Sequence, residues 1–430
     1  MMSLPDIETL LVAGNDARIA LDPAGLNKYG CPPRPDPELL AFGSSTASVV
    51  SRLGYAAAAR LRERLLDRTD TMGSAWQRIR EELLAELSGL NVRLAFAQSG
   101  TDAHALAVEQ LSGSKKLAVV MVNESETGSG VRAAMSVHRL AISSVSLRDE
   151  AGIPRPPEEI DADAVAMVET AVTSGHHVLL ILADQSKTGM IAPGISCAIS
   201  LCQRHPQDVS VLVDACQFRI APSTLRAYLK QDFMVAITGS KFFTGPAFSA
   251  ALMLPPRYVK EAIEHRNPGL MLRWEAALAE HRRFRALSQN QITNIMESFA
   301  KVVRQRLEGD PRFELVPVPP MDRRPLATEA GWDMHQSIFP FLLHGRDKMP
   351  LTREETQRVY QLLNVSDIAV IGGRRCQLGQ PVLIGKNLSA LRLALSARLI
   401  SDAVLPGGMK RLEDDVLAVL DKTAWLVDRI

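Results

Sequence analysis

Lys241 has the setting in this sequence that best suits covalent chemistry. It lies in the run Ile-Thr-Gly-Ser-Lys-Phe-Phe-Thr-Gly-Pro, residues 237–246, between two largely apolar runs at 232–237 and 247–254. A lysine amine held between two strands can form a Schiff base with an aldehyde cofactor. A turn lysine in a β-hairpin is the alternative interpretation, because short motifs often match by chance.

A carboxylate and an amide follow another apolar run. Asp214 and Gln217 come just after the run Val209-Ser-Val-Leu-Val213. A carboxylate at the end of a buried strand is costly unless a positive group pairs with it. A protonated pyridine nitrogen would be such a group, and Gln217 could then reach a phenolic oxygen on the same ring. The alternative is an aspartate of a metal or phosphate-loop site, although the sequence has no glycine loop ending in Gly-Lys-Ser/Thr.

Two further segments could bind anions. The run Ser99-Gly-Thr-Asp-Ala103 opens a predicted helix, whose N-terminal N–H groups could bind a phosphate. A plain N-cap is the alternative there. Arg392 lies in the strand-like run Leu391-Arg-Leu-Ala-Leu-Ser396, where an arginine usually pairs with a planar anion. For Arg392 a substrate α-carboxylate and a structural ion pair are equally open.

The elements that must position these residues alternate along the chain. Apolar runs at 92–97, 117–122, 178–182, 209–213 and 247–254 are separated by segments of helical spacing. This order predicts an α/β fold, a mostly parallel central sheet flanked by helices, with ligands at the carboxyl ends of the strands. We expect an N-terminal arm at 1–45, a large domain at 46–285 and a smaller α+β C-terminal domain at 286–430, with a linking helix at about 287–308.

The composition argues against several other classes of protein. The chain has 430 residues, 49 of them basic and 48 acidic, and its net charge of +1 gives no support for a nucleic-acid or membrane-surface partner. Its five cysteines include no C-x-x-C pair, so we expect free thiols and no metal site. No apolar run approaches about 18 residues, and no signal peptide is recognisable. We therefore expect a cytoplasmic protein.

The order of the chemical segments resembles that of the pyridoxal-phosphate enzymes of fold type I, most closely the class V aminotransferase and cysteine desulfurase group. A phosphate-type turn, Asp-x-x-Gln after a strand, a lysine 27 residues later and a late strand arginine follow one another within roughly residues 45–400. The resemblance implies pyridoxal 5'-phosphate as cofactor, an amino acid as substrate and a homodimer.

The resemblance also implies roles for single residues toward the cofactor. Lys241 would form the internal aldimine and then move protons, and Asp214 would pair with the pyridinium nitrogen. Gln217 would lie near the ring oxygen. The residues expected around the phosphate are Gly100, Thr101, Thr238 and Ser240.

Other roles concern the substrate and the partner subunit. Arg392 would bind the substrate carboxylate, and Gln185, in the run Gln-Ser-Lys-Thr-Gly189, would contact substrate and cofactor. The segment that contains Arg273 and Trp274 resembles the region that reaches into the neighbouring subunit's site.

The stacking position departs from the family pattern. Family members often stack a histidine or aromatic ring on the cofactor, whereas the run 123–130 contains no ring. Glu126 or Thr127 would then lie near the cofactor face, and we take Glu126 as a substrate-binding candidate. His104 is a possible substitute for the ring, with a helix-surface histidine as the alternative.

Cys376 is a possible nucleophile. It lies 16 residues before Arg392, a separation similar to that in desulfurases. Arg374 and Arg375 could lower its pKa. The surrounding segment does not match the desulfurase loop well, and a small residue in a glycine-rich loop is the alternative.

We therefore expect a pyridoxal-phosphate-dependent lyase or transferase acting on an amino acid, with cysteine-desulfurase-type chemistry first and a class V aminotransferase second. A non-catalytic homologue that binds the cofactor would need Lys241, Asp214 or Arg392 to be unusable, and all three are present. A nucleotide-binding α/β enzyme would need an early glycine-rich phosphate loop, and the sequence has no convincing one.

Overall fold

The computed structural model describes residues 4–14, 16–43, 47–111, 113, 115–128, 130–136, 140–258, 267–326, 331–366 and 374–430. The helices are α1 Ile7–Leu11, α2 Arg52–Leu66, α3 Met72–Leu84, α4 Gly100–Gln110, α5 Val131–Ser136, α6 Pro157–Thr173, α7 Ile195–Arg204, α8 Pro222–Lys230, α9 Pro268–Arg285, α10 Gln289–Glu308, α11 Arg353–Leu363, α12 Ala397–Ala403 and α13 Gly408–Val427. The strands are β1 Leu40–Ala41, β2 Arg93–Ala97, β3 Leu117–Val122, β4 Ala141–Val145, β5 His177–Asp184, β6 Ile191–Ala192, β7 Val209–Ala215, β8 Met234–Thr238, β9 Ala250–Leu254, β10 Phe313–Leu315, β11 Ile338–Leu343, β12 Cys376–Gln377, β13 Gly379–Ile384 and β14 Leu388–Ala394.

The central sheet is mostly parallel, as predicted. Its strands run in the order β2-β9-β8-β7-β5-β3-β4, and the short β6 pairs with β5. Strands β4, β3, β5, β7 and β8 are parallel to one another, whereas β6 is antiparallel to β5 and β9 is antiparallel to both β8 and β2. Parallel neighbours place their carboxyl ends along one edge, where a ligand site can form.

Apolar side chains on both faces of the sheet explain why the strands lack polar alternation. Val178, Leu180 and Leu182 of β5 join one hydrophobic cluster, and Leu179 and Ile181 join another. Each cluster includes residues of helices, so both faces of the sheet are covered. The continuous apolar runs in the sequence follow from this two-sided burial.

A second, smaller sheet is antiparallel. Its order is β10-β11-β14-β13. The N-terminal arm also reaches this part of the chain, because β1 pairs in parallel with β12, with Leu40 opposite Cys376. Among the described residues, no helix is both long and apolar enough to cross a membrane.

A buried ion pair joins the end of β5 to the segment between β10 and β11 of the smaller sheet. Arg323 donates two hydrogen bonds to Asp184, from Nη2 at 2.6 Å and from Nε at 2.9 Å. The hydroxyl of Tyr228 donates to the same carboxylate at 2.7 Å. Both side chains of the pair are fully buried, so neither charge is stabilised by water.

The first prediction compares two adjacent arginines. Replacing Arg323 with Met is expected to lower the free energy of unfolding by about 3–5 kcal/mol, because it leaves the Asp184 carboxylate buried without its cation. Arg324 is the matched control, since its side chain is 79% exposed. Replacing Arg324 with Met should change the free energy by less than about 0.5 kcal/mol. Urea unfolding measures both values, and equal effects would contradict the role given to the pair.

Candidate active site

A cavity of about 310 Å³ opens at the carboxyl ends of the central strands. This volume lies at the lower end of the range of about 300–1,000 Å³ typical of small-molecule sites. Ten of the residues singled out in the sequence line it: Gly100, Thr101, Glu126, Gln185, Asp214, Gln217, Thr238, Ser240, Lys241 and Arg392. They come from strands of both sheets, from the loops that follow β3, β5, β7 and β8, and from the start of α4. The fold thus gathers residues up to 292 positions apart, from Gly100 to Arg392.

Lys241 lies in the connection between β8 and β9, two antiparallel neighbours. The connection is held by backbone hydrogen bonds, including Gly245 N–H to the carbonyl of Gly239 at 3.0 Å. A Cβ at Gly245 would lie 2.6 Å from the Cβ of Ala277 on α9, so only glycine allows this close approach. The lysine is therefore a hairpin-connection residue whose half-buried side chain lines the cavity.

Asp214 is held ionised at the end of β7. Its Oδ2 lies 3.4 Å from Nε2 of His104, and its Oδ1 accepts the N–H of Cys216 at 3.2 Å. Thr127 donates its hydroxyl to Oδ2 at 3.3 Å. Burial opposes the charge, but the positive charges of His104 and Lys241 outweigh it and hold the pKa of Asp214 well below its usual range.

His104 packs beneath this carboxylate. It is only 1% exposed, so it is not the helix-surface residue of the alternative interpretation. Its Nδ1 lies 2.6 Å from the carbonyl of Gly100. Burial lowers the pKa of His104, whereas the charge and the hydrogen bonding of the Asp214 carboxylate raise it. The net shift of the pKa is upward. When protonated, the imidazole can donate to Gly100 through Nδ1 and faces Asp214 through Nε2.

A metal ion is the alternative occupant of this corner. His104, Asp214 and Cys216 place one ligand atom each within 4.8 Å of one another. Cysteine binds a metal as the thiolate. Without a metal, burial raises the pKa of the Cys216 thiol well above its usual range. The Asp214 carboxylate already faces His104 and accepts the N–H of Cys216, so the cluster also fits a paired carboxylate.

The start of α4 is consistent with both interpretations of residues 99–103, a helix N-cap and an anion-binding turn. Ser99 caps the helix, since its hydroxyl accepts the N–H of Asp102 at 3.3 Å and the Asp102 carboxylate accepts the N–H of Ser99 at 2.9 Å. The same first turn, with Gly100 and Thr101, also lines the cavity. A Cβ at Gly100 would lie 2.9 Å from the sulfur of Cys216, so glycine is needed for the helix to approach this closely.

The other expected phosphate-side residues and Gln217 line the cavity as well. The hydroxyl of Thr238 donates to the carbonyl of Cys216 at 2.6 Å. Ser240 and Gln217 are both 3% exposed. The hydroxyl of Thr238 thus serves to fix the strand ends, since β7 and β8 are adjacent at this point.

Arg392 projects from β14 into the cavity with carbonyl groups as its partners. Its Nη2 donates to the carbonyl of Gln380 at 3.0 Å and its Nη1 to that of Lys187 at 3.2 Å. Within the described part of the chain, no carboxylate forms an ion pair with it, in contrast to the structural ion pair considered above. Burial lowers the pKa of Arg392 to about 10, and the guanidinium stays charged at neutral pH.

Glu126 departs from the role expected for it. Its carboxylate lies 3.1 Å from Nε of Arg148 and accepts hydrogen bonds from the hydroxyls of Ser186 at 2.7 Å and Thr188 at 2.8 Å. The side chain is 3% exposed, and both oxygens are occupied by protein groups. Glu126 therefore stabilises the wall of the cavity at residues 186–188. Neither of its carboxylate oxygens is left free for a substrate.

Gln185 begins this wall. It is 5% exposed, and its amide donates to the sulfur of Met321 at 2.9 Å. Because Gln185 follows Asp184 directly, the buried ion pair between Asp184 and Arg323 holds the backbone of Gln185 in position.

Cys376 is not among the residues that line the cavity. It lies in β12, fully buried, and its partner strand is β1 of the arm. Burial raises the pKa of its thiol to about 11, and the nearby charges of Lys422 and Arg374 do not offset that effect. Arg374 does lower this pKa, as expected, but burial outweighs its effect and the net shift is upward.

The expectation for Arg273 and Trp274 also needs correction. Both side chains are at most 1% exposed within their own chain. Arg273 donates to the carbonyl of Phe248 at 2.8 Å, and the indole N–H of Trp274 donates to the carbonyl of Ala250 at 3.2 Å. These residues pack α9 onto β9 and its preceding loop, so they are not available to a neighbouring subunit's site.

Several cavity residues were not assigned from the sequence. Arg18, Lys28 and Tyr29 come from the N-terminal arm, and Lys187 and Gln380 come from the wall near Arg392. Lys187 lies inside the run 185–189, so the sequence showed its charge but not that it lines the cavity. The arm residues belong to no motif, and only the tertiary fold brings them to the cavity.

Three solved structures illustrate how widely this fold is shared. No family model matches the chain, and no curated protein matches it. The cysteine desulfurase CsdA from Escherichia coli is 13% identical, with a TM-score of 0.57 over 90% of this chain and 95% of that chain. The structure of Oryza sativa TDC with PLP is 14% identical, with a TM-score of 0.57 over 91% of this chain and 84% of that chain. The glutamate decarboxylase domain of the diaminobutyrate-pyruvate transaminase and L-2,4-diaminobutyrate decarboxylase from Vibrio parahaemolyticus is 12% identical, with a TM-score of 0.56 over 90% and 80%.

The fold is therefore that of the pyridoxal-phosphate-dependent enzymes of fold type I, as predicted. The similar structures carry the names of desulfurases, decarboxylases and aminotransferases. The fold thus spans several reaction classes and does not single out the class V group.

The second prediction tests the pairing of His104 with Asp214. Replacing His104 with Leu should lower the free energy of unfolding by about 3 kcal/mol, because it leaves a buried carboxylate without its cation. In a protein that already carries Asp214→Asn, the same replacement should cost at least about 1 kcal/mol less. Urea unfolding of the four proteins gives the coupling. Equal costs in the two backgrounds would show that the two side chains do not interact.

Proposed function

We propose that this chain binds pyridoxal 5'-phosphate at Lys241 and acts on an amino acid as a lyase or transferase. One observation carries the proposal: Lys241, Asp214 and Arg392 come from three separate elements and line the same cavity. Each has the chemistry suited to a different part of a cofactor and substrate. The shared fold and its structures solved with the cofactor support this assignment.

The cavity fits the cofactor group by group. Asp214 is partly buried, and its pKa is held well below its usual range, as suits a partner for a protonated ring nitrogen. Gln217 lies three residues further on and offers an amide to the ring oxygen. The first turn of α4 at Gly100 and Thr101, together with Ser240, offers N–H and hydroxyl donors to a phosphate.

Lys241 and Arg392 have separate roles in the proposed reaction. When bound, the cofactor stabilises the electron pair left by breaking a bond at the substrate's Cα. Lys241 would hold the cofactor through its aldehyde, and its amine, once the substrate amine has taken its place, would accept and return a proton at Cα. Arg392 holds the α-carboxylate in a bidentate grip, and this orientation determines which bond at Cα faces the ring.

The desulfurase-type chemistry expected from the sequence needs a reactive thiolate at the substrate. Cys376 does not supply it, because its thiol is buried outside the cavity and its pKa is about 11. Cys216 lines the cavity, but burial holds its pKa well above the usual value. We therefore propose lyase or transferase chemistry that uses Lys241 for proton transfer and no protein thiol. Within this proposal, a class V aminotransferase is the second candidate. We also propose that the chain forms a homodimer.

The third prediction concerns the cofactor. Purified protein incubated with pyridoxal 5'-phosphate should become yellow, and reduction with borohydride should leave the cofactor attached to the peptide that contains Lys241. Replacing Lys241 with Ala should abolish that attachment. Lys386→Ala is the control, because that lysine is 69% exposed and lies outside the cavity. A protein that takes up metal and no cofactor would contradict the proposal and favour the cluster at His104.

The fourth prediction concerns the thiol. Replacing Cys376 with Ala should leave turnover of the amino-acid substrate within about twofold of the wild-type rate, since the residue touches no part of the cavity. Turnover is followed by the release of sulfide, ammonia or a keto acid across a panel of amino acids. A loss of about 100-fold in a protein whose unfolding midpoint is unchanged would restore the nucleophile assignment.

A further inference from the structure

Lys187 and Arg392 form an unneutralised pair of cations in the cavity wall. Both line the cavity, and the guanidinium of Arg392 donates to the backbone carbonyl of Lys187 at 3.2 Å. The ammonium of Lys187 donates to the backbone carbonyl of Glu124 at 2.8 Å. Within the described residues, neither cation has a carboxylate in an ion pair with it.

The nearest carboxylates are already engaged elsewhere. Glu126 is paired with Arg148, and Glu124 lies 3.3 Å from Nε of Arg132. Two partly or wholly buried cations that face one space repel each other and favour an anion between them. Neutral carbonyl groups position these cations without neutralising either charge.

The other cations of the cavity have different commitments. Lys241 is assigned to the cofactor, and Arg18 is paired with Asp16, with Nε 2.9 Å from Oδ1. Lys28 is exposed at the mouth formed by the arm. One carboxylate of an ordinary amino acid would satisfy Arg392 alone, and the charge of Lys187 would stay uncompensated.

We propose that Lys187 and Arg392 form a subsite for an amino acid whose side chain carries a second carboxylate. Arg392 binds the α-carboxylate, and Lys187 binds the carboxylate of the side chain. This inference rests on the proposed function for the identity of the substrate as an amino acid, whereas the anion subsite is a property of the chain itself. It makes Lys187 a residue that selects acidic substrates.

The first test needs no variant. Calorimetric titration of the full-length protein, with and without pyridoxal 5'-phosphate, compares succinate and glutarate with butyrate. We expect at least one of the two dicarboxylates to bind about tenfold more tightly than butyrate, a difference of about 1.4 kcal/mol. Equal binding of all three would overturn the inference. Failure to take up the cofactor would overturn the proposed function instead, so the two failures are distinguishable.

Variants of Lys187 separate two ways of using its charge. Lys187→Gln should weaken dicarboxylate binding about tenfold and change butyrate binding by less than about threefold, whereas Lys187→Arg should restore the preference. If both cations instead grip one α-carboxylate, Lys187→Gln would weaken butyrate and the dicarboxylates equally, and the inference would fail. Lys386→Gln is the control for a change of net charge, since that lysine is exposed.

The pH dependence supplies a readout that a structural role would not give. The charged groups that act on Lys187 are Arg392, Glu126, Lys241 and Glu124, and burial with the repulsion of Arg392 lowers its pKa to about 8. The ammonium form, and with it the dicarboxylate preference, should be lost as the pH rises through this value. In Lys187→Arg the preference should persist to higher pH, because an arginine stays charged there. A preference that is independent of pH in the wild-type protein would contradict the assignment to Lys187.

Discussion

The buried ion pair between Asp184 and Arg323 is the constraint on which the geometry of the site depends. A pair without water is stable only when its hydrogen bonds are complete, and here Arg323 and Tyr228 satisfy the carboxylate together. Asp184 ends β5 and leads directly into the wall at residues 185–188. Arg323 belongs to the segment between β10 and β11 of the smaller sheet, and the same sheet carries Arg392 in β14. The pair therefore ties the wall at residues 185–188 to the part of the chain that forms the smaller sheet.

Around this constraint, the buried carboxylates of the site are each matched by a cation of the protein. Asp184 has Arg323, Glu126 has Arg148, and Asp214 has His104. The cations Lys187 and Arg392 lack such partners in the part of the chain that is described. This asymmetry gives the cavity a positive side, because the anions of the protein are neutralised and two of its cations are not. An anionic substrate loses favourable hydration free energy when it leaves water, and the two cations on this positive side would offset most of that loss.

Much of the fold was predictable because its signals are local. Strands buried on both faces have to be apolar throughout, and polar residues that follow them mark the ends of the strands, which located Asp214 and Lys241. Burial and direction of side chains are set by distant parts of the chain, and no local pattern encodes them. Resemblance to the family suggested Cys376 as a nucleophile and Arg273 as a partner contact, and tertiary packing buries both. The place of His104 under Asp214 likewise depends on how closely α4 approaches β7.

The N-terminal arm has a consequence for how this protein is handled. Its strand β1 is anchored on β12, and it supplies Arg18, Lys28 and Tyr29 to the cavity wall. Removing the arm would therefore remove part of the lining of the cavity. The arm is equally a place where substrate range can be changed while the residues assigned to the cofactor and the α-carboxylate stay untouched.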